Sequence, residues 1–157
     1  MVTAFSEMIR TFAKPGQVDW IGLRPARKAA LEVPKMVQVD ESGLVGDHGR
    51  SGKRAVTLIQ AEHLPVIASI LGVEAVRPED LRRNVVVSGI NLTALKKRHV
   101  QVGSAILHLE GPCPPCSRME KTLGTGGYSA VRGHGGWYAS VVEPGEISLQ
   151  DRVIPAD

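Results

Sequence analysis

The apolar and polar positions of this chain alternate mostly in short, period-two stretches. Within Val100 to Glu110, Ala105, Leu107 and Leu109 alternate with Ile106, His108 and Glu110, the signature of a strand with two unlike faces. Val18 to Leu23, Lys35 to Val39, Arg54 to Ile59 and Asn84 to Ile90 read as further strands from their β-branched content. The clearest helix spans about Ala61 to Leu71, where Leu64, Ile67 and Leu71 share a face and Gly72 supplies the stop. Pro65 falls in its first turn, where a missing N–H is tolerated. Short helices are predicted at Pro78 to Arg82, with Pro78 pre-set for the first helical position, and near Ser117 to Leu123. Glu41 to Gly49 reads as loop, and a glycine-rich loop is expected from Leu123 to Gly136. The last predicted feature is a hairpin, Trp137 to Val142 and Ile147 to Leu149, whose central Pro144-Gly145 suits a type II turn. The pattern predicts one mainly β domain over residues 1–157, a barrel with a few short helices at its edges. Residues 1–16 are expected to form a loosely ordered N-terminal extension.

Composition narrows the class. Hydrophobic residues at 43% and charged residues at 22% are globular values, which excludes wholesale disorder. Two cysteines are too few for a disulfide scaffold. No apolar run approaches the roughly 18 residues of a transmembrane helix, and the first ten residues do not read as a secretory signal. The expectation is a cytoplasmic protein with no membrane partner. The 19 lysines and arginines exceed the 16 acids by three, and the excess looks dispersed; the compact basic run is Lys96-Lys97-Arg98-His99. With aromatics at 4%, stacking surfaces for nucleic acid are scarce, which argues against it as the main partner. A few basic residues still suffice for a small phosphorylated ligand.

Cys113-Pro114-Pro115-Cys116 is the sharpest chemical signal. A helix beginning after it would place Cys116 where unpaired N–H groups favour a thiolate, with Arg118 and Lys121 adding positive potential. Several chemistries compete for this tetrapeptide. A thioredoxin-like pair wants a βαβ context. Half a zinc site needs two more ligands, and neither a second CxxC nor an HxxxH completes it. A single soft thiolate ligand or sulfur carrier needs no further cysteine. Two small buried hydrophobes beside prolines is the bland reading. Leu81-Arg82-Arg83-Asn84 precedes a strand, so its arginines can grip an anion and Asn84 can both donate and accept; taken alone, a solvated arginine pair on a short helix with Asn84 as its cap is the favoured reading. Gly46-Asp47-His48-Gly49 reads as a turn or as a polar rim over a site. The five histidines show no ligand spacing, and GxSxG, HExxH and a phosphate loop are missing.

Taken in order, these residues resemble a MOSC domain, named for the C-terminal part of molybdenum-cofactor sulfurases. The matching pieces are Trp20-Ile21-Gly22-Leu23-Arg24-Pro25, Gly43-Leu44-Val45-Gly46-Asp47-His48 and Arg54 to Ile59. They continue through Leu81 to Ile90, Val102-Gly103, Cys113 to Cys116, Gly133 to Tyr138 and Gly145-Glu146-Ile147. The resemblance implies a closed β-barrel and a molybdenum cofactor, that is, a molybdopterin-bound molybdenum. It implies Cys116 as catalytic residue and metal ligand, and Arg82 and Asn84 as cofactor-binding residues beside it. The implied activity is reduction of N-hydroxylated small molecules, with a separate flavin or iron–sulfur reductase as electron donor. Cys113 is packing or a resolving thiol in this reading. The alternatives implied are a sulfur carrier using a Cys116 persulfide, or a non-catalytic molybdopterin-binding module. No pyridoxal phosphate is expected in this chain. A homodimer that completes the pocket is one arrangement the resemblance allows.

Overall fold

The computed structural model describes residues 3–49 and 51–157. Seven strands close into a barrel: β1 (Gly16–Ile21), β4 (Val56–Gln60), β5 (Val85–Ser88), β6 (His99–Val102), β7 (Ala105–Pro112), β8 (Trp137–Glu143) and β10 (Arg152–Pro155). Their order around the barrel is β1-β10-β6-β7-β8-β4-β5, which returns to β1. A small second sheet runs β3 (Gly43–Leu44), β2 (Met36–Asp40), β9 (Gly145–Ser148). The barrel pairs are antiparallel except β4 with β5. A parallel neighbour needs a crossover, and α2 (His63–Leu71) with α3 (Pro78–Leu81) supplies it. Gly72 ends α2 at φ 73°, the left-handed stop that the sequence predicts.

There are two apolar cores. The larger fills the barrel with Val18, Leu58, Val85, Leu107, Leu109 and Ala139, and reaches the small sheet through Val37, Val39 and Ile147. The smaller lies outside the barrel wall, where Ile59 and Val86 meet Ile67, Leu81, Met119, Ala130 and Val131. β4 is therefore covered on both faces, and all five of its residues are buried.

Three sequence expectations change. The Val100 to Glu110 strand is two strands, β6 and β7, because Gly103 turns the chain at φ 61°. The expected closing hairpin does not form. β9 pairs with β2, and Gly145 is not in the left-handed region that a type II turn needs there. Its backbone instead lies against Ser104, whose N–H donates to Glu146 O while Ser104 Oγ accepts from Glu146 N. The strand after it, β10, closes the barrel between β1 and β6. Finally, the glycine-rich stretch contains a helix, α5 (Gly127–Val131), packed on α4 (Ser117–Leu123). The Glu120 carboxylate accepts from the N–H groups of Gly126 and Tyr128, and Ala130 and Val131 are buried. The first residues also hold a helix, α1 (Ala4–Arg10), none of whose side chains is buried.

Candidate functional site

Asn84, immediately before β5, is fully buried and organises one end of the barrel. Its Oδ1 accepts from Thr57 N at 3.0 Å and Thr57 Oγ1 at 3.2 Å. Its Nδ2 donates to Gly22 O at 3.0 Å and to Asp47 Oδ1 at 3.2 Å. Asp47, with a side chain only 1% exposed, passes this order on. Its Oδ1 also accepts from Arg24 N at 2.7 Å and Arg24 Nε at 3.0 Å. Its Oδ2 accepts from Arg24 Nη2 and Gly49 N, both at 2.9 Å. Burial pushes the Asp47 carboxyl up, but the Arg24 hydrogen bonds and charge and the Gly49 N–H outweigh it and hold it below the ordinary aspartate range.

This frame supports an inner cleft of about 490 Å³, whose lining includes Arg24, Arg54, Thr57, Arg83, Cys116 and Tyr138. Arg83 is buried, donating to Gly135 O at 2.6 Å and Leu81 O at 2.9 Å, so the guanidinium is pinned rather than solvated. Arg54 lies over the Tyr138 ring, 4.4 Å from its centroid. An outer cleft of about 670 Å³ meets the inner one at Arg27 and Cys116, and adds Lys28, Arg82, Arg118 and Lys121. Among the described residues, no Asp or Glu lines either cleft.

The two cysteines differ sharply. Cys116 is exposed as the residue capping α4, at the junction of the clefts, whereas Cys113 is buried with its N–H donated to Gly136 O. Burial pushes the Cys113 thiol up, against the opposing charges of Arg83, Arg54 and Arg24. We expect iodoacetamide at pH 8 to alkylate Cys116 and leave Cys113 at least about tenfold slower until the protein is denatured. Equal native rates would contradict this burial.

The Arg-Arg-Asn run is thus divided three ways. Arg82 turns into the outer cleft, its guanidinium donating to Ala29 O at 2.5 Å and Ala26 O at 3.3 Å. Arg83 faces the inner cleft, and Asn84 points inward. Cys116 and Arg82 therefore share a cleft, while Asn84 lines neither and reaches the site through Asp47 and Thr57. The sequence reading offered Arg82 and Arg83 together as an anion grip but did not single out Arg24, Arg54 or Tyr138 as site residues. The signal for Arg24 and Asp47 lay in the resemblance, whose motifs contain both. No spacing rule joins residues so far apart.

Among the described residues no three or more His, Cys, Asp or Glu gather as a metal site, and no helix is long and apolar enough to cross a membrane. A metal held by Cys116 would need ligands beyond such side chains to complete its coordination.

A closed barrel with a cysteine-bearing basic cleft at one end defines the class, and the family follows. The chain belongs to the MOSC domain family, whose model matches residues 44–154. No curated protein matches the sequence. Among solved structures, YuaD from Bacillus subtilis is similar with TM-score 0.77 at 21% identity, over 89% of this chain and 94% of that one. YiiM from Geobacillus stearothermophilus is similar with TM-score 0.74 at 16% identity, over 91% and 76%. YiiM from Escherichia coli has TM-score 0.65 at 17% identity, over 90% and 70%. These likenesses establish the fold.

Proposed function

We propose that this chain holds a molybdenum–pterin cofactor through Cys116 and reduces N-hydroxylated small molecules, drawing electrons from a separate flavin or iron–sulfur protein. The supporting observation is the exposed Cys116 thiol at the meeting point of two clefts rich in cations and, among the described residues, lined by no carboxylate. The residues fit the group. A thiolate is a soft ligand suited to a transition metal, and both clefts have the size of small-molecule sites. When bound, the cofactor supplies two-electron removal of oxygen from an N–OH group. The chain supplies the rest: Arg83, pinned by the Gly135 and Leu81 carbonyls and, among the described residues, paired with no carboxylate, offers fixed positive charge for the cofactor's phosphate. Tyr138, held under Arg54, forms an aromatic wall of the inner cleft. Cys113, buried in the lining of the inner cleft, stays an uncharged thiol.

The test is molybdenum and pterin content after anaerobic purification from molybdate-replete cells, wild type beside Cys116→Ala. Near-stoichiometric metal and pterin are expected in wild type, with the metal lost from a folded Cys116→Ala. Their absence from both proteins would sink the reading. The exposure of Cys116 would then favour a sulfur carrier, detectable as one added sulfur atom on that residue by mass spectrometry.

A further inference from the structure

Eight of the chain's nineteen lysines and arginines line the two clefts. One of them, Arg24, is neutralised by Asp47. Among the described residues, none of the other seven has a carboxylate within 4.0 Å. The crowding has consequences in the outer cleft. Burial, and then the charges of Arg118 and Arg24, make Arg82 hold its proton less tightly than usual. Lys28 and Arg82 both adopt left-handed backbone, at φ 64° and 54°. Backbone strain of this kind gathers at ligand clamps. Like charges assembled without partners are unfavourable until an anion joins them.

The two clefts are built differently. The inner one presents arginines fixed by Asp47, Gly135 and Leu81, suited to a resident group. The outer one presents Lys28 and Lys121 exposed on flexible stems, beside half-buried Arg82 and Arg118. Such a rim suits an anion that comes and goes. A single phosphate held by the inner cleft leaves the cations of the outer cleft unanswered.

We propose that the outer cleft is a second phosphoryl-binding site and that it receives the substrate's phosphate. The substrate is then a phosphorylated N-hydroxylated compound, such as a nucleotide, in preference to the free base or nucleoside. The phosphate anchors on Lys28, Arg118 and Lys121, and the attached group extends past Arg82 toward Cys116, which belongs to both clefts. The assignment to substrate rests on the proposed reductase reading; the existence of two anion sites does not.

Calorimetric titration separates the two. Orthophosphate added to cofactor-free protein should fill two saturable sites. The Lys28→Ala/Lys121→Ala double variant should weaken one of them by about tenfold or more and change the other by less than about twofold. A Lys96→Ala/Lys97→Ala control should change neither. In cofactor-loaded protein one site should persist, and the N-hydroxylated adenine nucleotide should bind there more tightly than its nucleoside. A single orthophosphate site, equal weakening by the control, or loss of both sites on loading would each overturn the proposal. If the protein never loads cofactor, the reductase reading falls, while the two-site titration still decides whether the outer cleft binds phosphate.

Discussion

Replacing Asp47 by Asn is expected to cost about 3–5 kcal/mol of stability, the range for breaking a buried ion pair by removing one partner. The reason lies in the donors around it. Oδ1 receives three N–H groups, from Arg24 N, Arg24 Nε and Asn84 Nδ2; Oδ2 receives two, from Arg24 Nη2 and Gly49 N. An asparagine amide placed either way sets its NH₂ against at least two donors. The Arg24 charge would also lose its counter-ion in a setting where its side chain is 17% exposed. Urea unfolding should show a lower midpoint at unchanged slope, since the surface exposed on unfolding is the same.

A pH dependence follows from the same group. The folded carboxyl titrates below its ordinary value of 3.8, so near that value the unfolded chain binds more protons than the folded one. The stability it contributes is fully present above 3.8 and is lost as pH falls through the lower folded value. Wild type should therefore weaken below pH 3.8 by a component missing from Asp47→Asn. A cost below about 1 kcal/mol, the level of exposed pairs, would mean that the contact does not persist in solution.

The sequence carried the local parts of this fold well. β1, β2, β4 and β5 lie within a residue or two of their apolar stretches, and α2 ends at its glycine. These features depend on neighbours in the chain, where periodicity and backbone preference act. What escaped depends on distant partners. The small net charge appeared dispersed because Arg24, Arg54, Arg83 and Lys121 are far apart in sequence; the barrel brings them to two adjoining clefts. The basic run that looked compact supplies no residue to either, and Arg98 within it pairs with Asp157. Helix α5 escaped because its glycines read as loop. The Glu120 side chain that caps its first amides comes from the preceding helix. Asn84 shows the other side of the same limit. Its residue type suited a ligand contact, yet only the folded arrangement reveals that all four of its amide contacts are internal.

The glycines between α5 and β8 allow packing and backbone freedom to be measured separately. Gly136→Ala is expected to destabilise far more than Gly133→Ala, although both glycines have positive φ, 94° and 85°. At Gly133 a Cβ would meet nothing within 4 Å, so the substitution carries only the left-handed backbone penalty of about 1–2 kcal/mol. At Gly136 the same Cβ would overlap the carbonyl oxygen of Leu58 and press on the Cα of Ile59. Leu58 cannot retreat easily, because it is paired with Val85 on one side and Trp137 on the other. Overpacking of this kind adds about 1–3 kcal/mol. The effect should also reach the clefts: Gly136 O accepts the Cys113 N–H, and Gly135 O accepts Arg83 Nε. Gly136→Ala should therefore raise the native alkylation rate of Cys113, while Gly133→Ala leaves it unchanged. Equal unfolding costs for the two variants would show that Gly136 is needed only for its φ, and that the approach of this segment to β4 does not hold the cleft together.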